Sequence, residues 1–313
     1  CTAWQADLDE ENRNGETAIL DLRLYGPEDV NTFLPLLQKT PRAIISPSYC
    51  WDDEAVSSII CSDPRLRQIA LCGVWNAKMP KLIASFAYIT YLDMSDMQIH
   101  AGDLKAMIPA FAVLGNTLSY LDMSYNPIQG VDDLADLLSP LVYLNHLDLS
   151  YCQLSPKPPM TKTAPDLTPF AKRLSSLTQL THLNLSANYL MWGDGCQTMG
   201  AALASLLRLT HLDLSLSHLN TEGCDVLGRI LKFPCLHTLI LNNNLLMTDK
   251  GCVALLPILT APTLRHLELR NVGGEPCLEG VNHLTYLDIE DNSADQEIGK
   301  KLLTQSNLTT LKM

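Results

Sequence analysis

The sequence has little charge, and positive charge is especially scarce. Charged residues make up 18% of the 313 positions, with 22 Lys and Arg against 34 Asp and Glu. The net charge of −12 argues against a nucleic-acid-binding protein, because such proteins normally present a basic surface. No apolar run reaches the roughly 18 residues that a transmembrane helix needs, so we predict no membrane span and no membrane partner.

The sequence motifs of common enzyme and metal sites are also missing. The chain has no glycine-rich phosphate-binding loop, dinucleotide-binding glycine motif, serine nucleophile elbow or zinc-protease helix motif. None of its ten cysteines forms a Cys-x-x-Cys pair, which disfavours a zinc ribbon or a redox site. We therefore predict a non-enzymatic protein with no cofactor and no metal.

Leucine, in contrast, fills 58 of the 313 positions and recurs in a fixed pattern. The segment from Leu118 reads LSYLDMSYNPI, and the segment from Leu180 reads LTHLNLSANYL. In both, the Leu-x-Leu pair alternates with period two, as a short strand with one buried face requires. Further copies begin at Leu66, Ile89, Leu144, Leu209, Leu236, Leu264 and Leu284, with a truncated copy at Leu308 and fainter ones near Thr17 and Pro41.

The second half of each repeat has helical periodicity. In Gly195–Arg208 the apolar residues Cys196, Met199, Leu203 and Leu206 fall on one helix face. The segments 223–232 and 251–259 repeat this pattern, so a strand followed by a helix is the predicted repeating unit.

The repeat resembles the leucine-rich repeat family, whose signature is L-x-x-L-x-L-x-x-N/C-x-L. The Asn or Cys position is filled by Asn126, Cys152, Asn188, Asn244 and Asn292. Repeats of about 28 residues with true helices look like the ribonuclease-inhibitor-like subfamily. The resemblance implies an α/β solenoid shaped as a horseshoe, with a concave parallel β-sheet and convex helices.

The repeats define the predicted domain organisation. We expect an N-terminal cap or flank over residues 1–16 and a single array of about 11 repeats over residues 17–313. A proline-rich insertion, SPKPPMTKTAPDL at 155–167, interrupts the array and should form a projecting loop. Insertions of this kind often serve binding, but an inert surface loop is the alternative.

Three cysteines indicate a reducing cellular compartment. Cys196, Cys224 and Cys252 are spaced 28 residues apart and each follows a glycine. Cysteines at one repeat position are typical of small buried apolar residues rather than of a disulfide framework. We therefore predict a cytoplasmic protein, located in the host cytosol if it is a secreted effector.

The predicted concave face is acidic and rich in Tyr and His. Its four outward columns contain nine acids and one base, Arg270, and such a surface would attract a basic partner. Four histidines share a column, but their parallel side chains disfavour the convergent geometry of a metal site. The predicted partner-contacting residues are Tyr91, Asp93, Tyr120, Asp122, Tyr125, His146, Asp148, Tyr151, His182, His211, Asp213, His266 and Glu268.

The leading functional hypothesis is a protein–protein interaction module, which the family resemblance implies. A bacterial effector and a cytosolic scaffold or inhibitor are two forms of this role. The alternative is the substrate-recognition part of a larger enzyme or ligase whose catalytic domain lies outside these residues. The sequence leaves the partner's identity and the oligomeric state open.

Overall fold

The computed structural model describes residues 20–21, 42–45, 66–86, 88–155, 166–230, 232–245, 247–273, 278–292 and 307–313. The chain divides into two compact units, Cys1–Ile128 with Asp133–Asp148 and Gln129–Asp132 with Leu149–Met313. The predicted flank 1–16 and most of the proline-rich insertion lie outside the described residues. The single array over 17–313 stays a prediction.

Within its described residues, the first unit contains six parallel strands that pair in chain order. Its first two strands lie at the faint repeat copies near Thr17 and Pro41. The strands are β1 (Leu20–Asp21), β2 (Arg42–Ile45), β3 (Gln68–Leu71), β4 (Tyr91–Asp93), β5 (Tyr120–Asp122) and β6 (His146–Asp148). The described helices are α1 (Met79–Ser85), α2 (Ala101–Leu114) and α3 (Asp132–Leu137).

The second unit repeats this arrangement with six more parallel strands. They are β7 (His182–Asn184), β8 (His211–Asp213), β9 (Thr238–Ile240), β10 (His266–Glu268), β11 (Tyr286–Asp288) and β12 (Thr310–Lys312). The described helices are α4 (Thr168–Ser176), α5 (Gly195–Leu203), α6 (Thr221–Ile230), α7 (Asp249–Ala254) and α8 (Leu256–Leu259).

Two of the predicted helical segments, 195–208 and 251–259, are shorter or interrupted in the structure. Helix α5 ends at Leu203 because Leu206 donates its N–H to the Leu203 carbonyl, 3.0 Å away, in a tight turn. Leu206 is nevertheless fully buried, as its place in the apolar pattern indicates. The predicted helix 251–259 is split into α7 and α8, and Pro257, which has no N–H, lies in the first turn of α8.

The asparagine position connects neighbouring repeats. Asn126 is fully buried, and its Oδ1 accepts hydrogen bonds from the N–H groups of Met97 and Ile99 in the preceding repeat, both at 3.0 Å. Its Nδ2 donates to the carbonyls of Met94 and Met123 at 2.9 and 2.8 Å. A single side chain therefore satisfies backbone groups in two repeats that the turns leave without strand partners.

From the copy that begins at Ile89 onward, the asparagines occur in alternate repeats, and each serves the preceding repeat, whose equivalent residue is not Asn. Asn188, Asn244 and Asn292 accept from the N–H of Cys152, Ser217 and Val272 respectively, at 3.0, 3.1 and 2.9 Å. These asparagines therefore hold the turns of the preceding repeats as well as their own.

The Gly-Cys pairs pack against each other from one repeat to the next. A Cβ on Gly223 would lie 2.6 Å from Cys196 Sγ, and a Cβ on Gly251 would lie 3.3 Å from Cys224 Sγ. Each glycine therefore leaves the space that the cysteine of the previous repeat fills. This contact explains why Gly and Cys recur together.

Most of the described cysteines are buried thiols. Cys152, Cys196, Cys224 and Cys252 are free and buried, and Cys235 is free and exposed. Cys72, however, is disulfide-bonded. A disulfide is typical of an oxidising compartment, so the cytoplasmic location stays a prediction.

Candidate functional site

The outward strand face is defined here as the side chains at the first and third positions of each strand. The middle residue is buried throughout β4–β11, as in Leu92, Leu121 and Leu147, each 0% exposed. Because neighbouring strands are in register, equivalent outward residues form rows: Tyr91, Tyr120 and His146 form one row and Asp93, Asp122 and Asp148 form another.

The aromatic row of the first unit is stacked. The Tyr91 and Tyr120 ring centroids are 3.8 Å apart with planes 13° apart, and those of Tyr120 and His146 are 4.0 Å and 18° apart. The ring faces therefore cover each other. Since the Tyr120 ring is stacked on both sides, a partner meets its edge and hydroxyl, not an open face.

The acidic row places three carboxylates side by side. Burial raises the pKa of Asp122 to about 7, and repulsion by Asp148 and Asp93 adds to the shift, which hydrogen bonding to Ser124 opposes. A cation at this row would relieve the repulsion, so the row is suited to a positively charged group.

The same carboxylates also hold the backbone at the strand ends. Oδ1 of Asp93 and of Asp122 each accepts the N–H of the serine two residues later, at 2.8 Å. Asn184 makes the equivalent bond to Ser186 at 3.0 Å, so the bond needs no charge. Asp93 is only 1% exposed and offers a partner almost no surface, contrary to its predicted contact role.

In the second unit the first row begins with two stacked imidazoles. The His182 and His211 ring centroids are 4.0 Å apart with planes 14° apart. Each Nδ1 lies within hydrogen-bond distance of the hydroxyl of the preceding threonine, at 2.9 Å for Thr181 and 2.8 Å for Thr210. Burial lowers the pKa of both histidines, and for His211 the neighbouring His182 adds to the effect, so both imidazoles are uncharged at neutral pH.

The acidic residues of this unit that follow β9 form ion pairs or hydrogen bonds with other side chains of the protein. His266 Nε2 lies 2.8 Å from Glu268 Oε1, and Asn242 Nδ2 donates to Glu268 Oε2 at 2.6 Å. Arg270 pairs with Glu290 at 3.2 Å and Asp291 at 2.8 Å. In this part of the second unit the acidic side chains are therefore paired within the chain.

Lys312 is the outward residue that the sequence analysis missed. It lies in β12, where its Nζ is 3.5 Å from Asp288 Oδ2 and 5.3 Å from the Tyr286 ring centroid. The truncated copy LTTLKM places Lys312 at the third strand position, so its outward position could have been predicted from the repeat register.

Asp213, a predicted contact residue in β8, accepts the N–H of Ser215 at 2.8 Å.

The two exposed tyrosines that follow the strands lie in different units. Tyr125, in the first unit, is 54% exposed with a φ of 58°, and Tyr151, in the second unit, is 43% exposed with a φ of 56°. Such positive φ angles recur at this position of each repeat. Tyr125 and Tyr151, both predicted partner contacts, therefore belong to different units.

The described residues contain neither a group of metal ligands nor a membrane-spanning helix. Within that part of the chain, no three His, Cys, Asp or Glu side chains converge as metal ligands. None of the helices found there combines the length and the apolar character needed to cross a membrane.

The repeats match two family models, both described as Leucine Rich Repeat, over residues 143–162 and 209–228. The first match includes strand β6, and the second includes strand β8 and most of helix α6. The chain is a leucine-rich repeat protein. Parallel strands alternating with helices are the fold that the repeats predict, and leucine-rich repeat domains generally mediate protein–protein interactions. A comparison with curated protein sequences found no match.

Solved structures with the same architecture include other leucine-rich repeat proteins. LegL7 of Legionella pneumophila is 19% identical with a TM-score of 0.52, over 80% of this chain and 82% of that chain. A chain of the yeast Rad7 and Elc1 complex is 14% identical with a TM-score of 0.50, over 99% and 89%. A chain of the TLR13–ssRNA13 complex is 19% identical with a TM-score of 0.55, over 88% and 40%. At these identities the likeness concerns the fold alone.

Proposed function

We propose that this leucine-rich repeat protein is a non-catalytic interaction module that binds a partner protein with a basic surface through its outward strand face. The observation that carries the proposal is the pair of rows in the first unit. Asp122 lies in the middle of three carboxylates, beside the stacked ring of Tyr120. A partner's basic side chains would neutralise repulsion that the fold maintains in the unbound protein.

The two units support different parts of this role. In the first unit, Tyr120 and Asp122 combine ring edges, hydroxyls and negative charge. In the second unit, His182, His211 and the Glu268 network provide an uncharged or internally paired surface. Charge attraction is therefore assigned to the first unit, and hydrogen bonding without net charge to the His-lined part of the second.

A pull-down from a eukaryotic lysate tests the proposal. The variant carries Tyr91→Ala, Tyr120→Ala and Asp122→Lys, all on the outward strand face of the first unit. The matched control carries Tyr143→Ala, Asp136→Lys and Tyr88→Ala, which are exposed residues outside the strands. Both variants lose two tyrosines and reverse one charge. We expect the first to lose a partner that the control retains; equal retention by both would show that the strand face is not the binding surface.

We retain the substrate-recognition role within a larger enzyme or ligase as the second candidate. The full-length open reading frame tests this role directly. A catalytic domain encoded in the same frame would favour it, and a frame without one would remove it.

The ribonuclease-inhibitor-like subtype and the cytoplasmic location belong to the same proposal. The packing of Gly223 on Cys196 and of Gly251 on Cys224 supports a repeat of about 28 residues with a buried thiol. The disulfide at Cys72 counts against a reducing compartment. Thiol quantification on the unfolded protein, with and without prior reduction, decides the location: equal counts support the cytoplasm, and unequal counts contradict it.

A further inference from the structure

A cavity of about 380 Å³ lies in the second unit, beside α6, α8 and the turns that follow these helices. Phe233, Leu236 and Ile258 line the cavity and are buried, and the exposed Pro262 lines it at the surface. Among the lining residues that the structure describes, Lys232 alone carries a charge, and it is exposed. The cavity is therefore apolar inside and has a positive charge at its border.

Arg265 lies against the same cavity. Its Nη1 donates to the carbonyls of Pro262 and Leu264 at 2.7 and 2.9 Å, and Pro262 is a lining residue. These two contacts fix the plane of the guanidinium and use only its Nη1 donors. The Nε–H and Nη2–H groups form the parallel pair of donors that fits the two oxygens of a carboxylate. The backbone therefore positions Arg265 to bind a carboxylate.

The two cations beside the cavity, Arg265 and Lys232, form no ion pair with any acid of the described residues. In contrast, Arg229 on the nearby helix α6 pairs with Asp225 at 2.8 Å. The protein has a net charge of −12, so most of its surface would repel an acidic ligand. Two unpaired cations beside one apolar cavity therefore favour a ligand that brings carboxylates together with an apolar group.

We propose that this cavity binds a segment of a partner protein in which a large apolar side chain lies next to acidic residues. The apolar side chain enters the cavity, and a neighbouring carboxylate accepts hydrogen bonds from the Nε–H and Nη2–H of Arg265. Lys232 attracts a second carboxylate of the segment. The site lies where helices end and strands begin, apart from the outward strand face, so it does not depend on the proposed function.

The arrangement of buried and exposed residues favours a peptide segment as the occupant. Phe233 and Ile258 are buried, whereas Arg265 and Lys232 are exposed. A large side chain in the cavity would be a buried anchor, and acids on either side of it would meet the two cations at the surface. An apolar anchor with a polar rim is the usual arrangement of a protein interface.

Binding of a fluorescein-labelled peptide to the whole chain, followed by anisotropy at about 150 mM salt, tests the site. The peptide has one phenylalanine flanked on each side by two glutamates, and its C-terminus is amidated so that only side-chain carboxylates are offered. We expect Arg265→Ala to weaken binding by about fivefold and Lys232→Ala by about two- to threefold. A peptide with alanine in place of phenylalanine should bind about tenfold more weakly.

Arg67→Ala is the matched control. Arg67 immediately precedes β3 as Arg265 precedes β10, is also exposed, and donates from Nη1 to a backbone carbonyl, that of Tyr88, at 2.9 Å. The substitution removes the same charge in the first unit, so it should change peptide affinity by less than about 1.5-fold. Equal weakening by Arg67→Ala and Arg265→Ala would mean that only net charge matters, and would overturn the proposal. So would equal binding of the phenylalanine and alanine peptides.

Cys235 provides a test of where the peptide binds. This free, exposed cysteine lies between the lining residues Pro234 and Leu236. A peptide carrying a chloroacetyl group on a short linker should alkylate Cys235 at least about tenfold faster than chloroacetamide does, because binding raises the local concentration of the reagent. Arg265→Ala should reduce this advantage, and equal rates for the two reagents would overturn the proposal.

Dodecanoate, a small carboxylate with an apolar chain, tests the competing occupant. Binding of dodecanoate without binding of the peptide would assign the cavity to a small carboxylate and would overturn the proposal. The proposed function would stand in each of these cases, because its pull-down variant changes residues on the outward strand face of the first unit.

Discussion

Asn188 Oδ1 accepts a hydrogen bond from the backbone N–H of Cys152, 3.0 Å away, although 36 residues separate the two in sequence. The same side chain accepts from the Leu154 N–H at 3.2 Å and donates to the Leu149 carbonyl at 2.6 Å. A fully buried asparagine thereby fixes the turn of the preceding repeat as well as its own.

Asn188→Ala should destabilise the protein strongly. It removes the acceptor of two buried N–H groups and the donor to buried carbonyls, and unsatisfied buried groups cost about 1–3 kcal/mol each. We expect the free energy of unfolding to fall by about 3 kcal/mol or more, measured by urea denaturation. Asn116→Ala, at an exposed position, is the control and should change stability by less than about 0.5 kcal/mol. Similar losses in both variants would contradict the bridging role.

Asp122→Asn should stabilise the protein at high pH and leave it unchanged at low pH. The folded-state pKa of Asp122 is raised from 3.8 to about 7, so the folded state binds this proton more tightly than the unfolded chain does. Ionisation therefore disfavours folding: the penalty is absent below about pH 4 and complete above about pH 7. The Asn variant, which cannot ionise, should be more stable than the wild type by about 2–4 kcal/mol at pH 8.

Urea denaturation at pH 4 and pH 8 measures this effect. Asp136→Asn, at an exposed helix position, is the control and should show no such pH-dependent difference. A constant difference between Asp122→Asn and the wild type at both pH values would show that Asp122 is not held in a repulsive row.

Gly228→Ala and Gly102→Ala should have opposite effects. A Cβ on Gly228, in α6, would lie 1.9 Å from the Ala254 carbonyl oxygen, so the helices would have to move apart. A Cβ on Gly102, in α2, meets nothing within 4 Å. We expect a loss of about 1–3 kcal/mol for the first and a gain of about 0.5 kcal/mol for the second, as measured by thermal unfolding. A stabilising Gly228→Ala would contradict the close approach of α6 to Ala254.

Thiol reactivity should separate Cys235 from the buried cysteines. Cys235 is exposed, whereas burial raises the pKa of Cys196 to about 12 and also raises that of Cys224. Because the thiolate is the reactive form, iodoacetamide should label Cys235 at least about 100-fold faster than Cys196 or Cys224 in the folded protein, as followed by peptide mass spectrometry. In urea the rates should converge. Fast labelling of Cys224 in the native state would show that its helix is not packed as described.

The repeat architecture could be predicted from the sequence because its signals are local. Leu-x-Leu spacing located the strands, and Asn126 and Asn188 located the turns. The ends of the helices were not predictable in the same way. Leu206 retains its place in the apolar pattern although the helix ends three residues earlier, since a tight turn buries the same side chain.

The exposure and the contacts of side chains on the outward strand face were harder to predict from the sequence. The pattern places Asp93 and Asp122 at equivalent positions, but their exposure depends on which side chains cover them. Ring stacking of Tyr91, Tyr120 and His146 depends on side-chain rotamers, which the pattern does not specify. The outward position of Lys312 could have been predicted, because the last repeat copy has the same register as the others.

The alternation of bridging asparagines has a consequence for how such a chain can change in length. A repeat without Asn obtains its turn acceptor from the repeat that follows, so Cys152 depends on Asn188 and Ser217 on Asn244. Deletion or duplication of one repeat would place two dependent repeats, or two donor repeats, side by side. From the copy that begins at Ile89 onward, pairs of repeats are therefore the steps by which the array can be lengthened or shortened by genetic duplication with every asparagine bridge retained.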